Sequence, residues 1–104
     1  MGEASRLKLH EEFCTILGSR CAYFQPPQSL KMYYPCIRYN GDGYDTDHAD
    51  NRNYKITRRY EGVVIDPDPD SNIPELLLNH FEMISFSGEY VADNLNHFPF
   101  TLYY

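Results

Sequence analysis

Three carboxylates spaced two apart, Asp66, Asp68 and Asp70, stand in the run DPDPDSN at residues 66–72. Alternating carboxylates can converge on calcium, as they do at positions 1, 3 and 5 of an EF-hand loop. That loop also needs a glycine at position 6 and a bidentate glutamate at position 12. Here Ser71 and Leu77 hold those positions, and Pro67 and Pro69 stiffen the run. An acidic turn that begins a helix is the better reading. Cys14, Cys21, Cys36 and His10 are the candidate zinc ligands, but they contain no CxxC pair, the strongest zinc cue. Three free thiols are expected instead. His48 stands among carboxylates and His97 beside an alternating tail, each without an obvious nucleophile near it in sequence. Triad members can lie far apart in a chain. There is still no nucleophile elbow and no phosphate-cradling glycine loop. The expectation is a protein that is not an enzyme and uses no metal or cofactor.

The elements around these residues are legible in pattern. Tyr54 to Ile65 is rich in β-branched and aromatic residues and predicts a long strand. It stops at Asp66, because Pro67 and Pro69 lack the N–H that a ladder needs. A helix follows from Asn72 to His80. Ser71 or Asn72 is its candidate cap, Pro74 suits its first turn, and Glu75 favours the positive end of its dipole. Leu76, Leu77 and Leu78 are too clustered for one stripe, so at least one of them should meet a second surface.

Leu9, Phe13, Ile16 and Leu17 share one face of a helix within residues 3–17, with Ser5 as a cap and Gly18 as its end. Ala22–Phe24 predicts a brief edge strand, and Cys36–Tyr39 another strand. Residues 40–53, NGDGYDTDHADNRN, hold two Gly, four Asp and three Asn and predict a loop. Ile84 and Phe86 suggest a strand, with Gly88 at a bulge or at its end. From His97 to Tyr104 the chain alternates, Phe98, Phe100, Leu102 and Tyr104 facing one way. The predicted fold class is α+β: a mixed or mostly antiparallel sheet of four to five strands against two helices. The predicted core includes Phe13, Leu17, Ile37, Ile65, Leu77, Phe86, Phe100 and Leu102.

At 104 residues the chain predicts one domain, residues 1–104. Hydrophobic residues make up 42%, which suffices for a packed core. Ten tyrosines with no tryptophan exceed what a small core needs and suit protein–protein contact. A net charge of −6 speaks against a dedicated nucleic-acid binder. No apolar leader and no membrane-length run is visible, so a reduced cytoplasm with free thiols is expected.

The charge is blocky. Asp42, Asp45, Asp47 and Asp50 are followed directly by Arg52, Lys55, Arg58 and Arg59. Such blocks suit contact between copies of one protein. These eight residues, with Tyr54 and Tyr60 for apolar area, are the candidate subunit interface. The alternative is pairing of the two blocks within one chain.

Five segments in this order carry a resemblance: YFQPP at 23–27, YPCIRY at 34–39, RRYEGVVIDPDPDS at 58–71, IPELLL at 73–78 and ADNLNHFPFTLYY at 92–104. Together they resemble the small tail-completion proteins of siphophages and prophages called tail terminators. The resemblance spans about residue 9 to the end and rests on the set, not on any one motif. It implies a sheet packed on helices and a homo-oligomer, a hexameric ring. Such a ring caps the tail tube, stops its polymerisation and offers a surface for joining the head. The implied partners are the major tail tube protein and a head-closure or connector protein. No membrane and no sequence-specific nucleic acid is implied, although DNA passes through the lumen of such a ring. The implied location is the tail or neck of the virion, after assembly in the host cytoplasm. The alternatives are a head-closure or stopper protein of the same neck, or a small metal-binding or enzymatic domain.

Overall fold

The β-branched and aromatic run ending at Asp66 forms the longest strand, and the other elements are arranged on it. The computed structural model describes residues 3–18, 21–49 and 52–104. In chain order the elements are α1 (Glu3–Leu17), β1 (Ala22–Phe24), β2 (Cys36–Ala49), β3 (Arg52–Asp66), α2 (Ile73–His80), β4 (Ile84–Phe86), β5 (Tyr90–Ala92) and β6 (Leu95–Tyr103). The strands form one mixed sheet in the order β1-β2-β3-β6-β4, with β5 also paired to β6. Only β1 and β2 run parallel; the other pairs are antiparallel. The fold is α+β as predicted. Among the described residues it has six strands rather than four or five, because the short β5 has no signal longer than three residues.

The larger difference lies in residues 40–53. Their composition predicts a loop, yet β2 continues through Ala49 and β3 begins at Arg52. Cross-strand pairing overrides the low strand propensity of Asp, Asn and Gly. Two register shifts occur along the hairpin, between Gly41 and Gly43 and between Asp47 and His48. The first leaves Asp42 as the extra residue on β2, and the second leaves Tyr54 as the extra residue on β3.

One face of the sheet carries the core. Leu9 and Phe13 of α1 pack with Ile37 and Tyr39 of β2, Tyr60 and Val64 of β3, Leu77 of α2, and Phe98, Phe100 and Leu102 of β6. Phe13 is its aromatic hub. Its ring meets Tyr39 at 4.9 Å, Phe81 at 5.7 Å and Phe100 at 6.1 Å, all edge-on. Of the predicted core, Phe13, Ile37, Ile65, Leu77, Phe100 and Leu102 are buried, while Leu17 and Phe86 are half-buried at its margin. The tail alternates as expected, with Phe98, Phe100 and Leu102 inward. The opposite face is open in its middle, where Arg38, Asn40 and Glu61 are exposed, while Cys36 and Ile65 are buried at its end.

Helix ends follow backbone chemistry. Gly18 takes a positive φ of 72° and closes α1 with a bond from its N–H to Thr15 O. Ser5 lies inside α1, which begins at Glu3, and so does not cap it. Asn72 is the N-cap of α2 but makes no side-chain cap bond; Ser71 Oγ accepts from Ile73 N–H at 3.3 Å instead.

Gly62 sits beneath Phe100, and a Cβ there would stand 2.4 Å from the ring. Phe100→Ala is expected to lower unfolding free energy by about 3–5 kcal/mol in urea denaturation. Gly62→Ala is expected to cost about 1–3 kcal/mol by overpacking. Gly62→Ala combined with Phe100→Leu should cost less than the sum of the single changes, because the smaller side chain makes room. Additive costs would mean that the two positions are not packed together.

Candidate functional site

The long hairpin has two halves with different surroundings. From Arg59 to Asp66, β3 is paired with β2 on one side and β6 on the other. Tyr104 N–H adds one more bond, to Arg58 O. From Arg52 to Thr57, among the described residues, β3 pairs with β2 alone. The far half is thus a two-stranded ribbon. At about 3.3 Å per residue it accounts for much of the long axis of the molecule, whose extents are 50 × 26 × 23 Å.

The charge blocks share this ribbon, with Asp42, Asp45 and Asp47 on β2 and Arg52, Lys55, Arg58 and Arg59 on β3. Asp42 and Arg59 form an ion pair, Oδ2 to Nε at 3.0 Å, and Arg59 also donates to Asp42 O at 2.8 Å. Both side chains are more than a third exposed, so the pair contributes little to stability. In register, Asp47 stands opposite Lys55, Asp45 opposite Thr57, and Arg52 opposite Ala49. For Asp42 and Arg59 the contact is within the chain, the alternative weighed from sequence. The Arg58 guanidinium lies 5.0 Å from the Tyr60 ring centre and against Gly41, where a Cβ would collide with it. Tyr60 is fully buried in the core and supplies no surface, a correction to its place among the interface candidates. Tyr54 is the bulged residue of the ribbon. Asp50 lies outside the described residues.

The acidic corner is occupied with its own backbone. Asp66 Oδ1 accepts from Asp68 N–H and Asp68 Oδ1 accepts from Asp70 N–H, each at 2.9 Å. Asn96 Nδ2 staples the corner to β6, donating to the carbonyls of Asp66 and Pro67 at 3.1 Å each. The candidate zinc ligands do not converge: His10 Nδ1 shares a 2.7 Å hydrogen bond with the Tyr39 hydroxyl. Burial pushes the Cys36 thiol up to about 12, and nearby Cys21 adds to this. Among the described residues no three His, Cys, Asp or Glu side chains form a metal-binding group. His97 Nδ1 bonds Leu95 O, and its ring stacks on Tyr90 at 4.7 Å.

One polar junction was not legible in sequence. Glu12 of α1 accepts from His80 Nε2 of α2 at 2.7 Å and from the hydroxyl of Tyr104. It ties both helices to the end of the chain. It borders a groove of about 400 Å³ lined by Thr15, Ile16, Leu76, Asn79 and His80. Leu77 enters the core, whereas Leu76 and Leu78 remain 40% and 50% exposed. Members at 12, 80 and 104 have no common spacing, so only the fold could reveal them.

No family model, curated protein or solved structure matches the chain.

Two outcomes follow for these polar groups. Burial alone would raise the Glu12 pKa, but hydrogen bonds from Tyr104 and His80 and the charges of His80 and Lys8 bring it below its ordinary 4.5. A depressed carboxylate stabilises the fold above its unfolded pKa and loses that contribution as pH falls through the folded value. Denaturation midpoints should therefore drop below about pH 4.5, and Glu12→Gln should flatten that limb while lowering the midpoint at pH 7. An unchanged acid limb in Glu12→Gln would remove Glu12 from the account. Calcium titration by calorimetry should be silent; a saturable isotherm that vanishes in Asp68→Ala would contradict the backbone role of the corner.

Proposed function

We propose that this chain is a structural protein of a siphophage-type virion, a tail terminator whose copies form a ring on the end of the tail tube. In this reading the ring stops tube polymerisation and presents a surface to the head connector. The resemblance sets six copies. The chain contributes shape and adhesive surface, with no catalytic step.

The ribbon is the observation that carries the reading. An isolated two-stranded ribbon is marginally stable in water, and this one runs beyond the end of β6 without a third strand among the described residues. A neighbouring copy would supply what the single chain leaves open. Reach at one end and receptive surface at the other suit a head-to-tail contact, which closes into a ring when the rotation per copy divides a full turn. The open middle of the opposite sheet face, with exposed Arg38, Asn40 and Glu61, leaves further area for contact.

The test mixes the purified chain with the tail-tube protein of the same genome during tube assembly. Negative-stain microscopy should show shortened tubes with a ring at one end. Binding to a head connector with no effect on tube length would move the assignment to a head-closure ring. A chain that binds neither and never assembles would overturn both.

A further inference from the structure

We propose that the free edge of β3 in one copy, Arg52–Thr57, takes strand β5, Tyr90–Ala92, of a second copy as its missing third strand. The number of copies rests on the ring reading; the contact itself does not.

The receptive edge is open, and past the bulge at Tyr54 it is regular from Lys55 to Thr57. Beyond Arg58 the outer side of β3 has no partner strand among the described residues, so its N–H and C=O groups face outward. Strand β5 is the complementary edge. A two-residue turn, Asp93–Asn94, with φ of 54° and 62°, joins it to β6. Positive φ at both positions marks the type I′ hairpin and a firm register. In such a hairpin the pair next to the turn, Ala92 and Leu95, exchanges backbone bonds, and the next pair does not. Val91 therefore directs its own N–H and C=O outward. Sheets protect exposed edges with charge, proline or cover. Here the edge reads Tyr-Val-Ala, with Tyr90 53% and Val91 68% exposed.

Charge selects which edge of the ribbon accepts it. Glu89 and Asp93 flank β5, while the β3 edge carries Arg52 and Lys55. The other edge of the ribbon, on β2, carries Asp45 and Asp47 beyond the Asp42–Arg59 pair. Opposite charges across strands stabilise a pair and like charges destabilise it. An acidic-flanked strand thus adds to β3 and is turned away from β2.

The contact has to join two copies. His97 of β6 pairs with both Tyr90 of β5 and Ile65 of β3, which puts β5 beside the Asp66 end of β3. Lys55 is ten residues back along that strand, about 33 Å away. Donor and acceptor therefore lie toward opposite ends of each copy, the arrangement a head-to-tail assembly needs.

The test is zero-length carbodiimide cross-linking of the intact chain, read by mass spectrometry. Cross-links from Lys55 to Glu89 or Asp93 are expected in the oligomer band only. Val91→Pro should abolish them and shift the protein to monomer in light scattering, since proline removes the outward N–H. If Val91→Pro proves poorly folded by circular dichroism, charge reversal decides. Glu89→Lys and Lys55→Glu should each weaken assembly several-fold, and their combination should restore it. A wild-type chain that stays monomeric at every concentration would overturn the pairing. So would assembly without these cross-links and without rescue, which would leave the ring reading standing. Cross-linked assemblies that never cap tubes would uphold the pairing and sink the terminator role.

Discussion

Backbone hydrogen bonding along β3 is the constraint on which the rest of this structure depends. Each of its residues brings an N–H and a C=O, and unpaired groups are costly wherever water is excluded. Over Arg59–Asp66 both sides are occupied, by β2 and β6. The sheet there holds its inward residues, Tyr60 and Val64, at positions that α1 and α2 can cover. Phe13 meets Tyr39 and Phe100 because β2 and β6 flank this strand on either side. Over Arg52–Thr57 the constraint is satisfied, among the described residues, on one side only. The same strand thus organises a core at one end and, among the described residues, leaves an open edge at the other.

What the sequence shows and hides follows from how each element is stabilised. The run before Asp66 was legible because its side chains favour strand and its end is enforced by two prolines. The tail was legible because alternation of Phe98, Phe100 and Leu102 is a direct image of burial. Residues 40–49 were not, because their strand conformation comes from the partner strand and not from their own preferences. Gly41 and Gly43, which argue for a turn in sequence, instead make room for Arg58 and Arg59. Asp42 likewise reads as a loop residue yet bonds Arg59 across the hairpin. Of the site, the charge blocks were legible. The Asp42–Arg59 pair needed the register, and the burial of Tyr60 needed the core.

The helix face shows the complementary case, in which pattern predicts a partner without locating it. Three consecutive leucines cannot all enter one core from a helix, since successive residues point about 100° apart. Leu77 enters, while Leu76 faces the groove beside Ile16 and Leu78 faces out. The Glu12 junction fixes that groove from beneath, joining α1, α2 and Tyr104. Burial and the bond to Glu12 hold the Tyr104 hydroxyl well above the usual phenol range. The end of β6 is therefore anchored to the helices, and Tyr104 makes its last backbone bond at Arg58. That anchoring sets the point at which β3 loses its third strand.

The Asp42–Arg59 ion pair is best understood through that boundary. An exposed pair such as Asp42–Arg59 contributes on the order of 0–1 kcal/mol and cannot by itself hold two strands together. Its consequence is arrangement. It fastens an acidic side chain at the first bulge, where β2 gains its extra residue, and holds Arg59 beside the final pairing position with Tyr103. Past this point β2 carries acid and β3 carries base on adjacent strands. The ribbon is close to neutral as a whole, yet each edge has its own sign. A neutral ribbon with two equivalent edges would accept a neighbour on either side and in either register, the condition under which sheets aggregate. Edges of opposite sign make one side favourable and the other repulsive to the same strand. Charge that adds little to the stability of one chain can therefore decide the geometry in which many chains meet.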